Sequence, residues 1–338
     1  MHTRKIASLE VSAIGLGCMS FSMGYGPGDD TVSRQLLHEA LDAGYRFLDT
    51  ATMYGNGHNE TLIGEALKGR RNEFVLASKC GLFKDEQGNN CLDGSPEMIR
   101  RHCEASLKRL QTDVIDLYYL HRLDKKVPIE DSAGALADLV REGKIREIGL
   151  SEISSETLRR AHAVHPVAAV QSEYSLWSRT PEFGMLDTCT ELGVTFVPFS
   201  PLARQFLTGK AQDVTHLTPR DIRCTNARPR FEPEAFAQNI KLLEPYRQVA
   251  ERVGCSMAQL ALAWLLAQED SNGNRTLVPI PGTKHIDFMH ENAGAGDIEL
   301  DAATVAELNE LINESVVVGT RYSEALMKVT DAERDRQG

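Results

Sequence analysis

Four polar side chains close or follow apolar runs that are typical of buried β-strands. Asp49 closes the run RFLDTA and Tyr54 follows it in the next loop. Lys79 closes FVLASK, and His121 closes IDLYYLH. The carboxyl ends of parallel strands meet at one face of a β/α barrel, and active sites lie there. We therefore expect the four side chains to converge at the mouth of such a barrel.

An Asp, a Tyr, a Lys and a His together form a set suited to proton transfer. A tyrosine hydroxyl has a pKa of ~10, which burial raises and a nearby cation lowers. Lys79 is predicted to supply the cation and Asp49 to hold it in place. A neutral His121 is predicted to donate a hydrogen bond to a substrate carbonyl. Each residue alone could instead be a cap, an ion-pair partner or a packing residue, but their joint placement favours catalysis.

Eight short apolar runs predict the strands that position these residues. The runs begin at residues 13, 46, 74, 115, 145, 168, 195 and 276. Amphipathic stretches with apolar residues at three-to-four spacing lie between them and predict helices, as at 33–44, 59–69, 96–111 and 129–144. Alternating strands and helices indicate a parallel sheet, and eight such units indicate a closed (β/α)8 TIM barrel.

Further segments surround the predicted barrel. Residues 4–12 predict a β-hairpin before strand one, and residues 203–232 predict a long loop after strand seven, which is a length typical of functional loops. We expect one domain over residues 1–338 with a core of about 6–322. The polar C-terminal tail, 323–338, is expected to fray from Asp331 onward.

A doubly wound open sheet is the competing fold. The sequence GLGCMS at 15–20 resembles a dinucleotide-binding fingerprint, but Ser20 occupies its third glycine position. A glycine-rich stretch follows where the fingerprint requires a helix. The barrel is therefore the favoured interpretation.

Composition excludes several classes of function. The net charge of −11 and the pI near 5.5 argue against nucleic-acid binding. The N-terminus lacks an apolar signal core, and the apolar stretch at 260–267 is too short to span a bilayer, so no membrane association is expected. The seven cysteines are dispersed without a C-x-x-C pair, and His162 and His165 have no partner ligands close in sequence. This pattern predicts no metal site and a cytoplasmic location.

The sequence resembles the aldo-keto reductases. The motifs that carry the resemblance are at 49–60 (DTATMYGNGHNE), 77–79, 118–122 (YYLHR), 141–152, 171–177 (QSEYSLW), 199–210, 279–292 and 319–322. Pyridoxal reductase-like and auxin-induced-protein-like members are the most similar in character. The resemblance implies a catalytic tetrad of Asp49, Tyr54, Lys79 and His121. It also implies hydride transfer from NADPH to an aldehyde or ketone, with Tyr54 as general acid and no metal.

The resemblance also assigns cofactor contacts. Ser151, Glu152 and Gln171 are expected to hold the nicotinamide carboxamide, and Phe199 is expected to stack on the ring. The expected contacts of the 2′-phosphate and adenine are Gly282, Thr283, Lys284, His285, Glu291 and Asn292. The remaining expected cofactor contacts are Gly17, Cys18, Met19, Asp49, Ser200, Pro201, Leu202, Arg204, Gly209 and Lys210.

Three departures from the family pattern affect the cofactor. Glu152 stands where many relatives have Asn, as it does in some subfamilies. Ala203 and Gln205 replace glycines that are usual in the pyrophosphate loop, and His285 stands where Arg is common. Glu152 is interpreted as a subfamily feature, whereas the other two departures leave NADH possible beside NADPH.

The substrate pocket is expected to be apolar and to suit aromatic carbonyl compounds. Its expected walls are Phe21, Met23, Tyr25, Met53, Tyr54, Phe83, His121 and Trp177. The charge-rich runs at 122–126 and 331–336 are interpreted as solvated helix faces. No pattern selects one substrate or an oligomeric state. Two alternatives remain, a cofactor-binding regulatory subunit resembling potassium-channel β subunits and an NAD-linked alcohol or sugar dehydrogenase.

Overall fold

The apolar runs form the strands of a parallel barrel in a computed structural model that describes residues 1–211, 213–219, 221–268 and 277–336. Seven barrel strands pair in chain order, each parallel to the next. Their side chains are almost all buried because the sheet is covered on both faces, which explains why the runs do not alternate. The strands are β3 (Leu16–Gly17), β4 (Phe47–Asp49), β5 (Val75–Cys80), β8 (Ile115–Leu120), β9 (Ile145–Ser151), β10 (Ala169–Glu173) and β11 (Thr195–Phe199).

The segment after residue 276 takes the eighth position and closes the barrel. Residue 276, where the predicted strand begins, lies outside the described residues. From there the chain runs between β11 and β3, with parallel bridges from Leu277 to Phe196 and from Gly282 to Gly17. Backbone hydrogen bonds reach the neighbouring strand on each side. The prediction of a (β/α)8 barrel is confirmed.

Helices surround the strands, and the first four cover most of the four amphipathic stretches named above. Local signals set their ends. In the helix Pro96–Leu110, Ser95 is the N-cap and accepts from Met98 N at 3.3 Å, Pro96 follows the cap, and Gln111 ends the helix with a left-handed φ of 52°. The helices are α1 (Asp30–Asp42), α2 (His58–Ala66), α3 (Pro96–Leu110), α4 (Ile129–Arg141), α5 (Ser155–Val164), α6 (Met185–Leu192), α7 (Pro233–Asn239), α8 (Leu243–Val253), α9 (Met257–Leu266), α10 (Ile286–Gly294), α11 (Ala302–Leu311) and α12 (Glu324–Val329).

Two antiparallel hairpins accompany the barrel. The predicted N-terminal hairpin is confirmed as β1 (Thr3–Ile6) paired with β2 (Leu9–Ser12). A second hairpin, which the sequence did not predict, joins β6 (Leu82–Lys84) to β7 (Asn90–Leu92) between β5 and α3. The second hairpin follows Lys79 closely in the chain and carries Phe83 near the barrel mouth.

The C-terminal residues show that the expectation of fraying was wrong for 331–336, which form a short 3-10 helix. Asp331 accepts a hydrogen bond from Ser154 N at 2.8 Å, and Asp335 accepts one from Ser155 N at 3.0 Å. These carboxylates meet the free N–H groups at the start of α5, where a helix favours negative charge. Residues 331–336 are thus packed against the start of α5 through two of their carboxylates. Residues 337 and 338 lie outside the described part of the chain.

Membrane and metal features are limited within the described ranges. No single helix there is long and apolar enough to cross a bilayer, and the α7–α8 segment meets α9 at a 77° bend. The described residues hold no group of three or more His, Cys, Asp or Glu side chains suited to a metal. All seven cysteines are free thiols.

Candidate active site

The four predicted catalytic residues converge at the carboxyl end of the barrel, and Lys79 is their centre. Its ammonium Nζ donates to Asp49 Oδ1, to the carbonyl of Thr50 at 2.8 Å and to the hydroxyl of Tyr54 at 3.3 Å. The second carboxylate oxygen of Asp49 accepts a hydrogen bond from Gln171 Nε2 at 2.8 Å. Lys79 and Asp49 are fully buried, so this short chain of contacts is held rigidly inside the barrel mouth.

His121 forms the other side of the site. Its ring lies 5.9 Å from the Tyr54 ring at an angle of 83°. Burial, together with the positive charges of Arg122 and Lys79, lowers the pKa of His121 well below its usual value. The imidazole is therefore neutral at pH 7 and keeps one N–H that can donate to an oxygen atom.

The acidity of Tyr54 is set by two opposing effects. Burial raises the pKa of its hydroxyl, and the charge of Lys79 lowers it by a smaller amount, so the pKa lies above the ordinary value. Burial also opposes the charge on Lys79, but Asp49 and Tyr54 outweigh it and raise the pKa of the ammonium. The site at neutral pH thus holds a protonated tyrosine beside a charged lysine.

The residues expected at a nicotinamide lie on three neighbouring strands. Ser151 ends β9, Gln171 lies in β10 and Phe199 ends β11. Gly17 and Gly282 face each other across the closing strands, so that a Cβ on Gly282 would lie 3.0 Å from the carbonyl of Gly17. Two of the expected nicotinamide contacts lie beside the tetrad, since Gln171 donates to Asp49 and the Ser151 hydroxyl accepts from Arg122, the neighbour of His121.

Two of the expected cofactor side chains are occupied elsewhere. Both carboxylate oxygens of Glu152 accept from Arg321, at 3.0 and 2.7 Å. Arg204 donates to both oxygens of Glu173 at 2.8 and 2.6 Å. Glu152 also has a left-handed φ of 55°, a conformation that Asn adopts more readily than Glu, which accounts for the Asn in many relatives. The side chains of Glu152 and Arg204 therefore serve a buried ion network. The backbone of Glu152 is also bonded within the protein, since its N–H donates to the carbonyl of Gln171 at 3.0 Å and its carbonyl accepts from Ala332 N at 3.2 Å.

The expected phosphate region combines a tight backbone turn with lysines. Ser200, Ala203, Arg204 and Gln205 all have left-handed φ between 48 and 77°. Lys284 Nζ donates to the carbonyls of Tyr25 and Pro27, each at 2.9 Å. Two more of the expected contacts form an ion pair, since Lys210 Nζ donates to Glu291 Oε2 at 3.2 Å. Left-handed turns of this kind form anion-binding concavities, and the two lysines add local positive charge.

The remaining expected contacts flank these two regions. Thr283 accepts a hydrogen bond from His285 N at 3.1 Å, at the start of α10. Cys18 N donates to the carbonyl of Asp49 at 2.9 Å, and Asn292 is buried. Of the other positions, Met19 lies in the segment after β3, and Pro201, Leu202 and Gly209 lie in the loop after β11.

The expected pocket walls are placed at different depths. Met23, Tyr25 and Phe83 are half-buried, and Phe83 packs on His102 with ring centroids 5.0 Å apart. Phe21 and Met53 are buried. Trp177, which is 1% exposed, instead lies in an aromatic cluster 3.8 Å from the ring of Phe206 and 5.8 Å from that of Phe231. Trp177 therefore packs against the loop after β11, which contains both phenylalanines.

Sequence reasoning missed Arg122 and Arg321. Residues 122–126, interpreted as a solvated helix face, form a loop after β8, and Arg122 is half-buried beside His121. Arg321 belongs to the quoted motif at 319–322 but was assigned no role. The position of Arg122 directly after a strand-end histidine was the available signal for it. The partners of Arg321 are distant in sequence, so no local signal could have revealed them.

Comparison with known proteins agrees with this geometry. The profile of the aldo/keto reductase family matches residues 13–313. The chain belongs to this family, and the predicted family and oxidoreductase class are confirmed. The aldo-keto reductase yakc [NADP(+)] of Schizosaccharomyces pombe is 43% identical over 326 residues, 95% of this chain and 94% of that protein.

Solved structures give the same result. The glycerol dehydrogenase AKR11B4 from Gluconobacter oxydans matches with a TM-score of 0.81 and 29% identity, over 91% of this chain and 94% of that one. An aldo/keto reductase from Klebsiella pneumoniae, in complex with NADP and acetate, matches with a TM-score of 0.71 and 27% identity, over 94% and 96% of the two chains. The kinship to particular subfamilies stays a prediction.

Proposed function

We propose that this protein is an NADPH-dependent reductase of aldehydes or ketones in which Tyr54 is the general acid. The observation that carries the proposal is the contact of the Tyr54 hydroxyl with the charged, buried Lys79, with the His121 ring 5.9 Å from that of the tyrosine. A carbonyl oxygen placed between Tyr54 and His121 would meet two hydrogen-bond donors, which is the arrangement that polarises a carbonyl.

The residues divide the work of the reaction. NADPH, when bound, supplies the hydride that forms the new C–H bond at the carbonyl carbon. Tyr54 transfers its proton to the carbonyl oxygen, and Lys79 stabilises the phenolate that remains. Asp49 and Gln171 hold Lys79 in place, and His121 orients the substrate. The product alcohol thus gains one hydride and one proton.

The residues present fit the cofactor by their chemistry. Ser151, Gln171 and Phe199 offer polar groups and an aromatic face on three adjoining strands. Lys284 and Lys210 offer cations beside the left-handed turn that begins at Ser200. The yeast relative named above is described by its name as acting with NADP(+). These observations support NADPH as the cofactor of this chain.

The test is the Tyr54→Phe variant, which removes only the hydroxyl. Loss of a positioned general acid is expected to lower kcat for aldehyde reduction by roughly 10²- to 10⁴-fold, with little change in NADPH affinity. Absorbance at 340 nm follows turnover, and tryptophan fluorescence follows NADPH binding. Normal turnover by the variant would refute the role of Tyr54. NADPH binding without turnover by the wild-type protein would favour the regulatory-subunit alternative.

Alcohol oxidation with NAD is the second candidate. Two observations favour it: His285 stands where relatives often have Arg, and a 29% identical structure is that of a glycerol dehydrogenase. Initial rates with NADPH, NADH, NADP+ and NAD+ decide between carbonyl reduction and alcohol oxidation. A higher kcat/KM for alcohol with NAD than for aldehyde with NADPH would replace the first proposal by the second.

A further inference from the structure

Arg122 lies at the mouth of the site with part of its guanidinium unused. It follows His121 at the end of β8 and is half-buried. Its Nη1 donates to the carbonyl of His121 at 2.6 Å and to the Ser151 hydroxyl at 3.1 Å. Within the described residues its Nε and Nη2 have no hydrogen-bond partner, although neither is sealed from solvent. Three N–H donors of a fixed guanidinium therefore remain available at the mouth.

The carboxylates around Arg122 are already committed to other groups. Glu152 is bound through both oxygens by Arg321. Asp124, two residues farther along the chain, accepts from Gly94 N at 3.2 Å and from Lys126 N at 3.0 Å. Arg122 accordingly forms no ion pair with any described residue. A half-buried arginine without a counter-ion, in a protein of net charge −11, is a site for an anion from outside.

The position of Arg122 relates that anion to the substrate. The charge of Arg122 reaches both Tyr54 and His121, the two groups that face the reacting carbonyl. The Nη1 contacts fix the orientation of the guanidinium, so its free edge is preorganised. A planar guanidinium edge matches the two oxygens of a carboxylate.

We propose that Arg122 binds a carboxylate of the substrate, so that the preferred substrates are aldehydes or ketones that also carry a carboxylate. This inference rests on the proposed reductase function. One guanidinium balances the single charge of a carboxylate, whereas a phosphate dianion would need a second cation, and Lys79 is already paired with Asp49. Arg122 is then a specificity-determining residue, while the apolar walls hold the carbon skeleton.

The experiment compares two aromatic aldehydes that differ by one carboxylate, 4-carboxybenzaldehyde and benzaldehyde, with NADPH. The wild-type protein is expected to show the higher kcat/KM for the carboxylated aldehyde. Arg122→Gln is expected to lower the ratio of the two kcat/KM values by about 10- to 100-fold, the usual effect of losing hydrogen bonds to a charged group. Arg122→Lys, which keeps the charge without the planar edge, is expected to give an intermediate ratio.

A matched control removes an exposed cation in the same loop. Lys125→Gln changes the net charge by the same amount and is expected to leave the ratio at the wild-type value. An equal change in Lys125→Gln and Arg122→Gln would overturn the inference, because the effect would then be a general field effect.

Three further outcomes decide between the inference and the proposed function. If wild-type protein reduces benzaldehyde but Arg122→Gln leaves the ratio unchanged, the inference fails and the reductase function stands. If Arg122→Gln lowers both rates equally and weakens NADPH binding by fluorescence titration, Arg122 serves Ser151 alone and the inference again fails. If wild-type protein binds NADPH but reduces neither aldehyde, both proposals fall.

Discussion

At the scale of single residues, each group in the site works through its neighbour. Lys79 would lose its charge at full burial if Asp49 did not face it, because an isolated buried ammonium is strongly destabilised. Gln171 takes the second oxygen of Asp49 and so prevents the carboxylate from rotating away. The protonated state of Tyr54 and the neutral state of His121 both follow from burial. The chemistry therefore depends on where these four side chains lie as much as on what they are.

Lys284 is the residue whose role is most open to direct test. Lys284→Ala is expected to weaken NADPH binding by about 10- to 100-fold, since a charge-assisted hydrogen bond to the 2′-phosphate would be lost. The change also removes the contacts to the carbonyls of Tyr25 and Pro27, which would affect NADPH and NADH alike. The ratio of the two dissociation constants, measured by fluorescence titration, isolates the phosphate contribution. Equal losses for both cofactors would show that the 2′-phosphate binds elsewhere.

At the scale of elements, the loop after β11 carries backbone strain in the expected phosphate region. Its left-handed turn holds Ala203 and Gln205, where the family commonly has glycine, and the positive φ values explain that preference. The loop is also hydrogen-bonded to the loop between β3 and α1, because Ile222 N donates to the carbonyl of Gly24 at 2.9 Å. The loop after β11 and the loop after β3 are therefore in contact.

Ala203→Gly tests the strain. A left-handed Ala costs roughly 1–2 kcal/mol, so glycine is expected to leave stability equal to or above the wild type despite its greater freedom in the unfolded chain. The control is Ala306→Gly in the exposed middle of α11, which is expected to lose roughly 0.5–1 kcal/mol. Urea unfolding measures both. A loss in Ala203→Gly as large as that in the control would contradict the strain.

At the scale of the whole molecule, a buried ion network joins segments that are far apart in the chain. Arg321, after α11, binds Glu152 at the end of β9 and Glu333 in the C-terminal 3-10 helix. Glu173, at the end of β10, lies 3.6 Å from Arg321 and is bound by Arg204 in the loop after β11. Burial raises the pKa of Glu173, but Arg204 and Arg321 outweigh it and bring the pKa to about 2. The network ties the C-terminal tail to the strand ends that surround the nicotinamide region.

Removing one member of the network is expected to be costly. Arg321→Met leaves Glu152 buried without its partner, and breaking a buried ion pair in this way typically costs about 3–5 kcal/mol. Replacing Glu152 by Gln in the same chain should restore part of the loss. Arg160→Met, which breaks an exposed pair with Glu130, is the control and should change the urea midpoint little. Equal effects at Arg321 and Arg160 would mean that the buried network adds no stability.

The sequence by itself determined the fold class, the family and the four polar residues that converge at the barrel mouth. Strand and helix periods are local properties, and polar residues that close apolar runs must meet at one end of a parallel barrel. Only the tertiary structure decided the roles of Glu152, Arg204 and Arg321, because ion pairs between distant segments leave no local pattern. It also showed that 331–336 pack on the start of α5 and that Arg122 lies beside the site. A run of charged residues has the same sequence pattern whether it is solvated or packed against another segment.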